Sequence, residues 1–189
     1  MEARNEWLEA RKTGIGGSDA AVVCGVSEWK TPYELFLEKR NEILDPFAEG
    51  TPEHMRFGNL LEDVIAQEFA ERTGKRVRRA KQMKRHPKYD WMIANIDRKI
   101  EGEDRLLECK TANPFAFNLG DWGEEGTDEV PDYYLTQVQH YLAVTGYDVA
   151  DLAVLVGGQQ LKLYIIERNE GLIGTMIGLE GDFWEQVQT

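Results

Sequence analysis

Three charged residues on two consecutive extended segments could do chemistry together. Asp97 ends the apolar segment WMIANID, and Glu108 and Lys110 lie in the segment RLLECKT, after the turn-forming EGED. Side chains of a strand alternate between faces, so Glu108 and Lys110 share one face while Cys109 points to the other. A carboxylate and a backbone carbonyl there suit a hard cation such as Mg²⁺, and a lysine can orient a water molecule or help to deprotonate it.

Whether Asp97, Glu108 and Lys110 form a functional site depends on the residues around them. Leu106, Leu107 and Cys109 mark the second segment as largely buried, where an acid and a lysine are rare unless they are paired or functional. The tripeptide E-x-K is frequent, so on its own it could belong to an ordinary exposed strand with alternating charges. The case for a site therefore depends on further polar residues that the fold brings to the same place.

Glu62 is the first of these residues. At helical spacing it shares a face with Ile65, Ala66 and Phe69, so its carboxylate can be turned inward. The alternative is a glutamate at the edge of that face whose carboxylate reaches solvent.

The second of these polar residues is a glutamine on another predicted helix. Gln137 aligns with Tyr134 and Tyr141, whereas Gln139 aligns with Leu135. Because a buried glutamine can simply satisfy backbone groups, the sequence does not decide which glutamine faces the site.

The apolar periodicity and turn signals predict an α/β domain with a mixed central sheet flanked by helices. With no internal repeat or low-complexity linker, we expect a single domain over residues 1–189. The predicted helices are Asn5 to Arg11, a helix capped by Ser18 or Asp19, one from Thr31-Pro32, Phe57 to Thr73, Tyr133 to Thr145 and one from Glu170; Asn41 to His54 is predicted as a surface loop, and DLAVLV and QLKLYIIE as strands joined at Gly157-Gly158.

The composition excludes several classes of protein. No stretch is apolar enough to span a membrane and no signal peptide is present, so we expect a cytoplasmic protein. Only two cysteines occur, Cys24 and Cys109, and we expect both to be reduced. The formal charge of -12 argues against a nucleic-acid partner, but RVRRAKQMKRHPK, from Arg76 to Lys88, has seven Lys or Arg and no acid. This run predicts a local basic strip for phosphates; a solvated charged hairpin is the alternative.

These motifs together resemble a known group of nucleases. Asp97, Glu108-Cys109-Lys110, an upstream helical Glu and a downstream Q-x-x-x-Y are similar to the PD-(D/E)xK nuclease superfamily. Trp7, Arg11, TGIGGSDA, GNLLED, ANID, LLECKT and YLTQVQHYLAVTG, in this order, narrow the resemblance to the lambda exonuclease and YqaJ-type recombinase family, from about residue 7 to residue 166. Ile96 replaces the proline that names the superfamily motif, which leaves the ligand Asp97 unchanged.

The resemblance implies a restriction-endonuclease-like core and a role for each matching residue. Asp97, Glu108 and the carbonyl of Cys109 would ligate Mg²⁺ or Mn²⁺, Glu62 would add a ligand to a second ion, and Lys110 would position the attacking water. A 5′ phosphate and the DNA near it would be held by Trp7, Arg11, Ser18, Asn95, one of Gln137 and Gln139, and Tyr141.

The resemblance also implies an activity and partners. The family digests one strand of duplex DNA from an end, 5′ to 3′, and so feeds phage-type homologous recombination through a single-strand annealing protein. A homotrimeric ring and the cytoplasm of a bacterial host would fit. The alternatives are a RecB-like or restriction-type endonuclease with the same acids, a non-catalytic DNA-binding module, and an acidic protein that imitates DNA.

Overall fold

The computed structural model describes residues 11–43, 52–80 and 82–189. Trp7 and most of the predicted helix Asn5 to Arg11 lie outside these ranges. We number the elements in chain order as α1 Gly17–Val23, α2 Pro32–Lys39, α3 Glu53–Thr73, β1 Val77–Arg79, β2 Lys84–Arg85, β3 Ile93–Ala94, β4 Arg98–Ile100, β5 Arg105–Ala112, α4 Pro114–Leu119, α5 Asp132–Thr145, β6 Val149–Val156, β7 Gln160–Glu167 and α6 Glu170–Gln188.

A five-stranded mixed sheet in the order β1-β4-β5-β6-β7 forms the centre, and β2 and β3 form a separate two-stranded sheet. The pair β5 and β6 is parallel, while the other neighbours are antiparallel. Gly157 and Gly158 join β6 to β7 with φ of 61° and 72°, a backbone that favours glycine in tight hairpins. The prediction of an α/β fold with a mixed sheet between helices is confirmed.

The two faces of the sheet pack against different helices. Leu106 of β5 lies in the larger core with Val138 and Leu142 of α5. The next residue, Leu107, lies in the opposite core with Ile65 and Phe69 of α3. Strand β5 is therefore covered on both sides, so its polar side chains leave water only where a helix offers them a partner.

Helix α3 begins earlier than its sequence indicates. It starts at Glu53 rather than Phe57, and His54 belongs to it, so the predicted loop from Asn41 to His54 is too long; its residues 44–51 lie outside the described ranges. The helix packs through Ile65 and its neighbours Ala66 and Phe69, as predicted, whereas Phe57 and Val64 are exposed. The i, i+3, i+4 row that carries Glu62 is the row that faces the sheet.

Helix α1 is capped by Gly16 and not by Ser18 or Asp19. Asp19 is the third helical residue, and its carboxylate accepts the Gly16 N–H at 3.1 Å. This bond satisfies the first turn from within the helix, and it leaves Ser18 at the second position with an exposed side chain.

The basic run does not form a single hairpin. Its two strands pair elsewhere, β1 with β4 and β2 with β3. Arg79 of β1 contacts Asp63 of α3 at 3.1 Å, whereas Arg85 of β2 donates to the hydroxyl of Thr13 at 2.6 Å. The cations are thus divided between two sheets, and the hairpin interpretation is wrong.

Both cysteines are free, as expected. None of the helices formed by the described residues is long and apolar enough to cross a membrane.

A buried histidine joins the two C-terminal helices to β3. His140 of α5 and Glu180 of α6 are both fully buried. The Nδ1 of His140 lies 3.0 Å from the Glu180 carboxylate, and Nε2 lies 3.0 Å from the carbonyl of Ile93. Burial alone would lower the pKa of His140, but Glu180 and the Ile93 carbonyl raise it above its ordinary value. Because both ring nitrogens face acceptors, the imidazolium form satisfies this site best.

We expect this pair to stabilise the fold at acid and neutral pH and less at alkaline pH. The pKa of His140 is raised on folding, so its contribution is complete below the unfolded pKa of about 6.5 and is lost as pH rises through the folded pKa. The neutral double variant His140→Gln/Glu180→Gln is the reference. Urea unfolding from pH 6 to 9 should show the wild-type advantage falling by up to about 1.4 kcal/mol per pH unit; an advantage that stays constant over this range would contradict the assignment.

Candidate active site

The acidic centre is built where the chain leaves regular pairing between β3 and β4. Residues 95–97 form no strand, so Asp97 directly precedes β4 and does not end one continuous strand as predicted. Its Oδ2 accepts the backbone N–H of Cys109 at 2.8 Å. This bond holds Asp97 against the middle of β5, beside Glu108.

Strand β5 supplies Glu108 and Lys110 on the face toward α5, and Cys109 on the face toward α3, as the alternation predicts. Glu108 is only 2% exposed. Its Oε1 accepts from Gln137 Nε2 at 2.8 Å and from Lys110 Nζ at 2.7 Å. Its Oε2 is buried and has no hydrogen-bond partner in the described part of the chain. One carboxylate oxygen is thus fixed, and the other is left for a ligand.

Burial and neighbouring charges shift the pKa values of Asp97, Glu108 and Lys110. Burial raises the pKa of Asp97 well above the usual range, and the charge of Glu108 raises it further. Burial also raises the pKa of Glu108, although Lys110 opposes this shift. Burial would lower the pKa of Lys110, but the charges of Glu108 and Asp97 outweigh it and raise the pKa above its ordinary value. Lys110 is therefore held in its charged form, in which its ammonium group can only donate hydrogen bonds.

Glu62 of α3 approaches the centre from the other face of the sheet. Its side chain is partly exposed, and its Oε1 accepts from the guanidinium of Arg98. Arg79 lies 3.8 Å from the same oxygen. The carboxylate is therefore turned inward, as its position among Ile65 and Phe69 suggested, and two arginines balance its charge.

These residues line a common cavity of about 500 Å³, within the size range of small-ligand sites. Acidic and basic side chains both line it. A smaller cavity of about 320 Å³ adjoins Glu62, Asp97, Cys109 and Lys110 from the side of Tyr134. The predicted residues that the larger cavity brings together are Arg11, Ser18, Glu62, Asn95, Asp97, Glu108, Lys110, Gln137 and Tyr141.

Gln137 and Gln139 face different parts of the protein. Gln137 lines the cavity, and its amide donates to Glu108 and, at 3.0 Å, to the hydroxyl of Tyr141. Gln139 points away from it: its amide donates to the carbonyl of Glu167 at 2.7 Å and accepts from the N–H of Asn169 at 2.9 Å. Gln139 thus satisfies backbone at the junction of β7 and α6, and its predicted place in the site is wrong.

A buried ion pair that the sequence analysis missed ties the segment from Arg11 to Gly14 to helix α1, which carries Ser18. Lys39 donates to Asp19 at 2.7 Å and to the carbonyls of Arg11 and Gly14 at 2.8 and 2.7 Å. Burial would raise the pKa of Asp19, but the charges of Lys39 and Arg11 outweigh it and lower the pKa to about 2. The sequence does carry a sign of this ion pair: Lys39 lies four residues after the apolar Leu35, on the inward-facing row of α2.

The sequence profile of the YqaJ-like viral recombinase domain matches residues 6–148. The chain belongs to this family. It is 47% identical over 184 residues to the uncharacterized protein YqaJ of Bacillus subtilis, a match that covers 96% of this chain and 56% of that protein. The uncharacterized protein R354 of Acanthamoeba polyphaga mimivirus is 28% identical over 158 residues, with 77% and 27% coverage. The chain thus spans little more than half the length of YqaJ.

Solved structures share the fold of this YqaJ-like domain. An alkaline exonuclease from Laribacter hongkongensis matches with a TM-score of 0.76 and 19% identity over 97% of this chain and 92% of that one. The same exonuclease in complex with dAMP gives 0.77 and 20%. A phage-related exonuclease from Haemophilus somnus gives 0.64 and 14%, over 92% and 93%. The predicted family and the restriction-endonuclease-like core are confirmed.

In the YqaJ-like domain, side chains provide only part of the ligand set that a hard cation requires. No three Asp, Glu, His or Cys side chains converge as a metal site within residues 11–43, 52–80 and 82–189. Asp97, Glu108 and the Cys109 carbonyl offer three oxygens, and Mg²⁺ characteristically keeps several waters beside one or two carboxylates. The unpartnered Glu108 Oε2 and the raised pKa of Asp97 both indicate a centre that lacks positive charge.

Because burial and the charge of Glu108 disfavour ionised Asp97, we expect Asp97→Asn to stabilise the metal-free protein. The folded pKa of Asp97 is raised, so its ionisation penalises folding increasingly as pH rises above the unfolded value of about 4. In EDTA, the free energy of unfolding from urea titration should be higher for Asp97→Asn than for wild type, with a gain that is larger at pH 8 than at pH 5.

The exposed Asp128→Asn is the control and should show no such gain. Added Mg²⁺ should stabilise the wild type and not Asp97→Asn. A less stable Asp97→Asn at pH 8 in EDTA would show that this carboxylate is not electrostatically strained.

Proposed function

We propose that this YqaJ-like domain is a Mg²⁺-dependent deoxyribonuclease that degrades one strand of duplex DNA from a 5′ end. One observation carries the proposal. The partly exposed Asp97 and the buried Glu108, with Lys110 beside them, share a cavity with Arg11 and Ser18. A hydrolytic centre next to a place for a terminal phosphate is what an enzyme that starts at DNA ends requires.

Asp97, Glu108 and the Cys109 carbonyl would hold the first cation, and Glu62 would contribute to a second. When bound there, Mg²⁺ or Mn²⁺ would supply the Lewis acidity that activates water and the charge that offsets the developing negative charge of the phosphate. Gln137 fixes the orientation of Glu108 through Oε1, so the unpartnered Oε2 remains directed to its ligand.

Lys110 would orient the attacking water or a phosphate oxygen. Its ammonium group lies 2.7 Å from Glu108 and 5.7 Å from the centre of the Tyr134 ring. These contacts and the raised pKa keep it positively charged beside the reacting phosphate. A charged donor held at this position stabilises the developing anion without needing to move.

Arg11, Ser18, Asn95 and Tyr141 would hold the 5′ phosphate. Arginine offers two parallel donors that match phosphate oxygens. Lys39 donates to the backbone carbonyl of Arg11, and the Asp19 carboxylate lies 3.4 Å from its guanidinium. Phosphate contacts of this kind position a strand without reading its bases. Gln137 already donates to Glu108 and Tyr141, so its part in phosphate binding is indirect.

The cellular setting of this activity follows from the resemblance to the lambda exonuclease family alone. The remaining single strand would pass to an annealing protein during recombination, and a ring of three subunits would keep the enzyme on its duplex. Phage or prophage origin and the cytoplasm of a bacterial host complete the proposal.

A set of matched DNA substrates tests the activity. With Mg²⁺, we expect degradation of a linear duplex with a 5′ phosphate, slower degradation of the same duplex with a 5′ hydroxyl, and no nicking of a covalently closed circle. EDTA should abolish all degradation. Label at either end, followed on denaturing gels, gives the polarity. Nicking of the closed circle would support an endonuclease instead, and indifference to the 5′ group would remove the role of Arg11 and Ser18.

Two lysine variants locate the activity. Lys110→Ala should lower the rate by about a hundredfold or more, because one preorganised donor at the reacting phosphate is lost. Lys162→Ala is the matched control, since Lys162 of β7 pairs with Glu125 and does not line the cavity. Equal rates for Lys110→Ala and wild type would mean that the site is wrongly assigned.

A further inference from the structure

Arg98 is a buried arginine that joins the two sides of the acidic centre. It is the first residue of β4, directly after Asp97, and it is only 3% exposed. Its Nη1 donates to Glu62 Oε1 and, at 2.7 Å, to the carbonyl of Asp97. Its Nη2 donates to Asp63 Oδ1 on the same helix as Glu62.

These bonds constrain distances across the site. A buried guanidinium is costly unless it is fully paired, so the fold holds Arg98 only where α3 presents Glu62 and Asp63 to it. The planar fork of arginine fixes both the separation and the orientation of the carboxylates that it binds. Glu62 is thereby placed relative to the Asp97 backbone by a rigid group and not by helix packing alone.

We propose that Arg98 is a positioning residue for the second cation site. It holds Glu62 through Oε1, so that Oε2 can serve as a ligand, and it compensates the carboxylate charge before any cation binds. Arg98 lines neither cavity. The inference rests on the proposed function, because it concerns how that same site binds its cations.

The chain contains an arginine pair that serves as a structural control. Arg105 of β5 donates through Nε at 2.6 Å and Nη2 at 2.5 Å to Asp151 of β6. Both residues are largely buried in the same sheet, and neither lines the cavities around the acids. A purely structural arginine at position 98 would behave like Arg105 when it is replaced.

Mn²⁺ binding to the DNA-free protein distinguishes the two roles. We expect Arg98→Lys to weaken Mn²⁺ binding by about tenfold or more, measured by calorimetry and by electron paramagnetic resonance, because lysine keeps the charge but not the fork. The Mg²⁺ concentration for half-maximal DNA degradation should rise in parallel. Arg105→Lys is expected to lower the melting temperature without changing Mn²⁺ binding.

A double variant tests whether Arg98 acts through Glu62. Glu62→Gln should weaken Mn²⁺ binding by itself, and Arg98→Lys added to it should cause no further loss, since residues that act as one unit are not additive. Additive losses would overturn the positioning role, as would wild-type Mn²⁺ affinity in a folded Arg98→Lys.

If Arg98→Lys does not fold, Asp63→Asn decides. The Asp63 side chain is 70% exposed, so its amide variant keeps the core, and it should weaken Mn²⁺ binding several-fold by loosening the guanidinium. Unchanged Mn²⁺ affinity would overturn the inference. A wild-type protein that neither binds Mn²⁺ nor degrades DNA would instead refute the proposed function, whereas a wild type that does both beside indifferent variants refutes only the role of Arg98.

Discussion

Asp97 and Glu108 are held together at the wall of the cavity, where Glu108 is buried, Asp97 is partly exposed and both carboxylates are costly to ionise. Burial raises the pKa of each, and the charge of Glu108 acts further on Asp97. The fold maintains this arrangement through fixed bonds to one oxygen of each acid, from the Cys109 N–H to Asp97 and from Gln137 and Lys110 to Glu108. A centre kept short of positive charge binds a cation more strongly than a centre that is already neutral.

The central sheet divides the surrounding residues into two sets. On the α5 side, Gln137 and Lys110 orient Glu108; on the α3 side, Arg98 orients Glu62. Strand β5 can serve both sides because it is paired along both edges and its residues alternate between two cores. The acids are therefore set by rigid secondary structure, whereas the segment that carries Arg11 is tied to α1 by the buried Lys39.

Much of the centre follows from local sequence, because alternation along a strand is a local rule. That rule predicts that Glu108 and Lys110 share a face, and helical spacing predicts an inward Glu62. The sequence could not choose between Gln137 and Gln139, since two positions on a helix lie on different faces and only tertiary packing decides which one meets β5. Arg98 was missed for a similar reason: its partner Glu62 is 36 residues away, and an arginine after Asp97 has no local mark of burial.

Diffraction from crystals grown with Mn²⁺, measured above the manganese absorption edge, tests most directly whether Asp97 and Glu108 form a cation site. We expect an anomalous peak about 2 Å from a carboxylate oxygen of Asp97, from Glu108 Oε2 and from the Cys109 carbonyl oxygen. A second peak beside Glu62 would agree with a two-cation centre. Well-occupied Mn²⁺ elsewhere on the protein, with no peak between Asp97 and Glu108, would contradict a cation site between them.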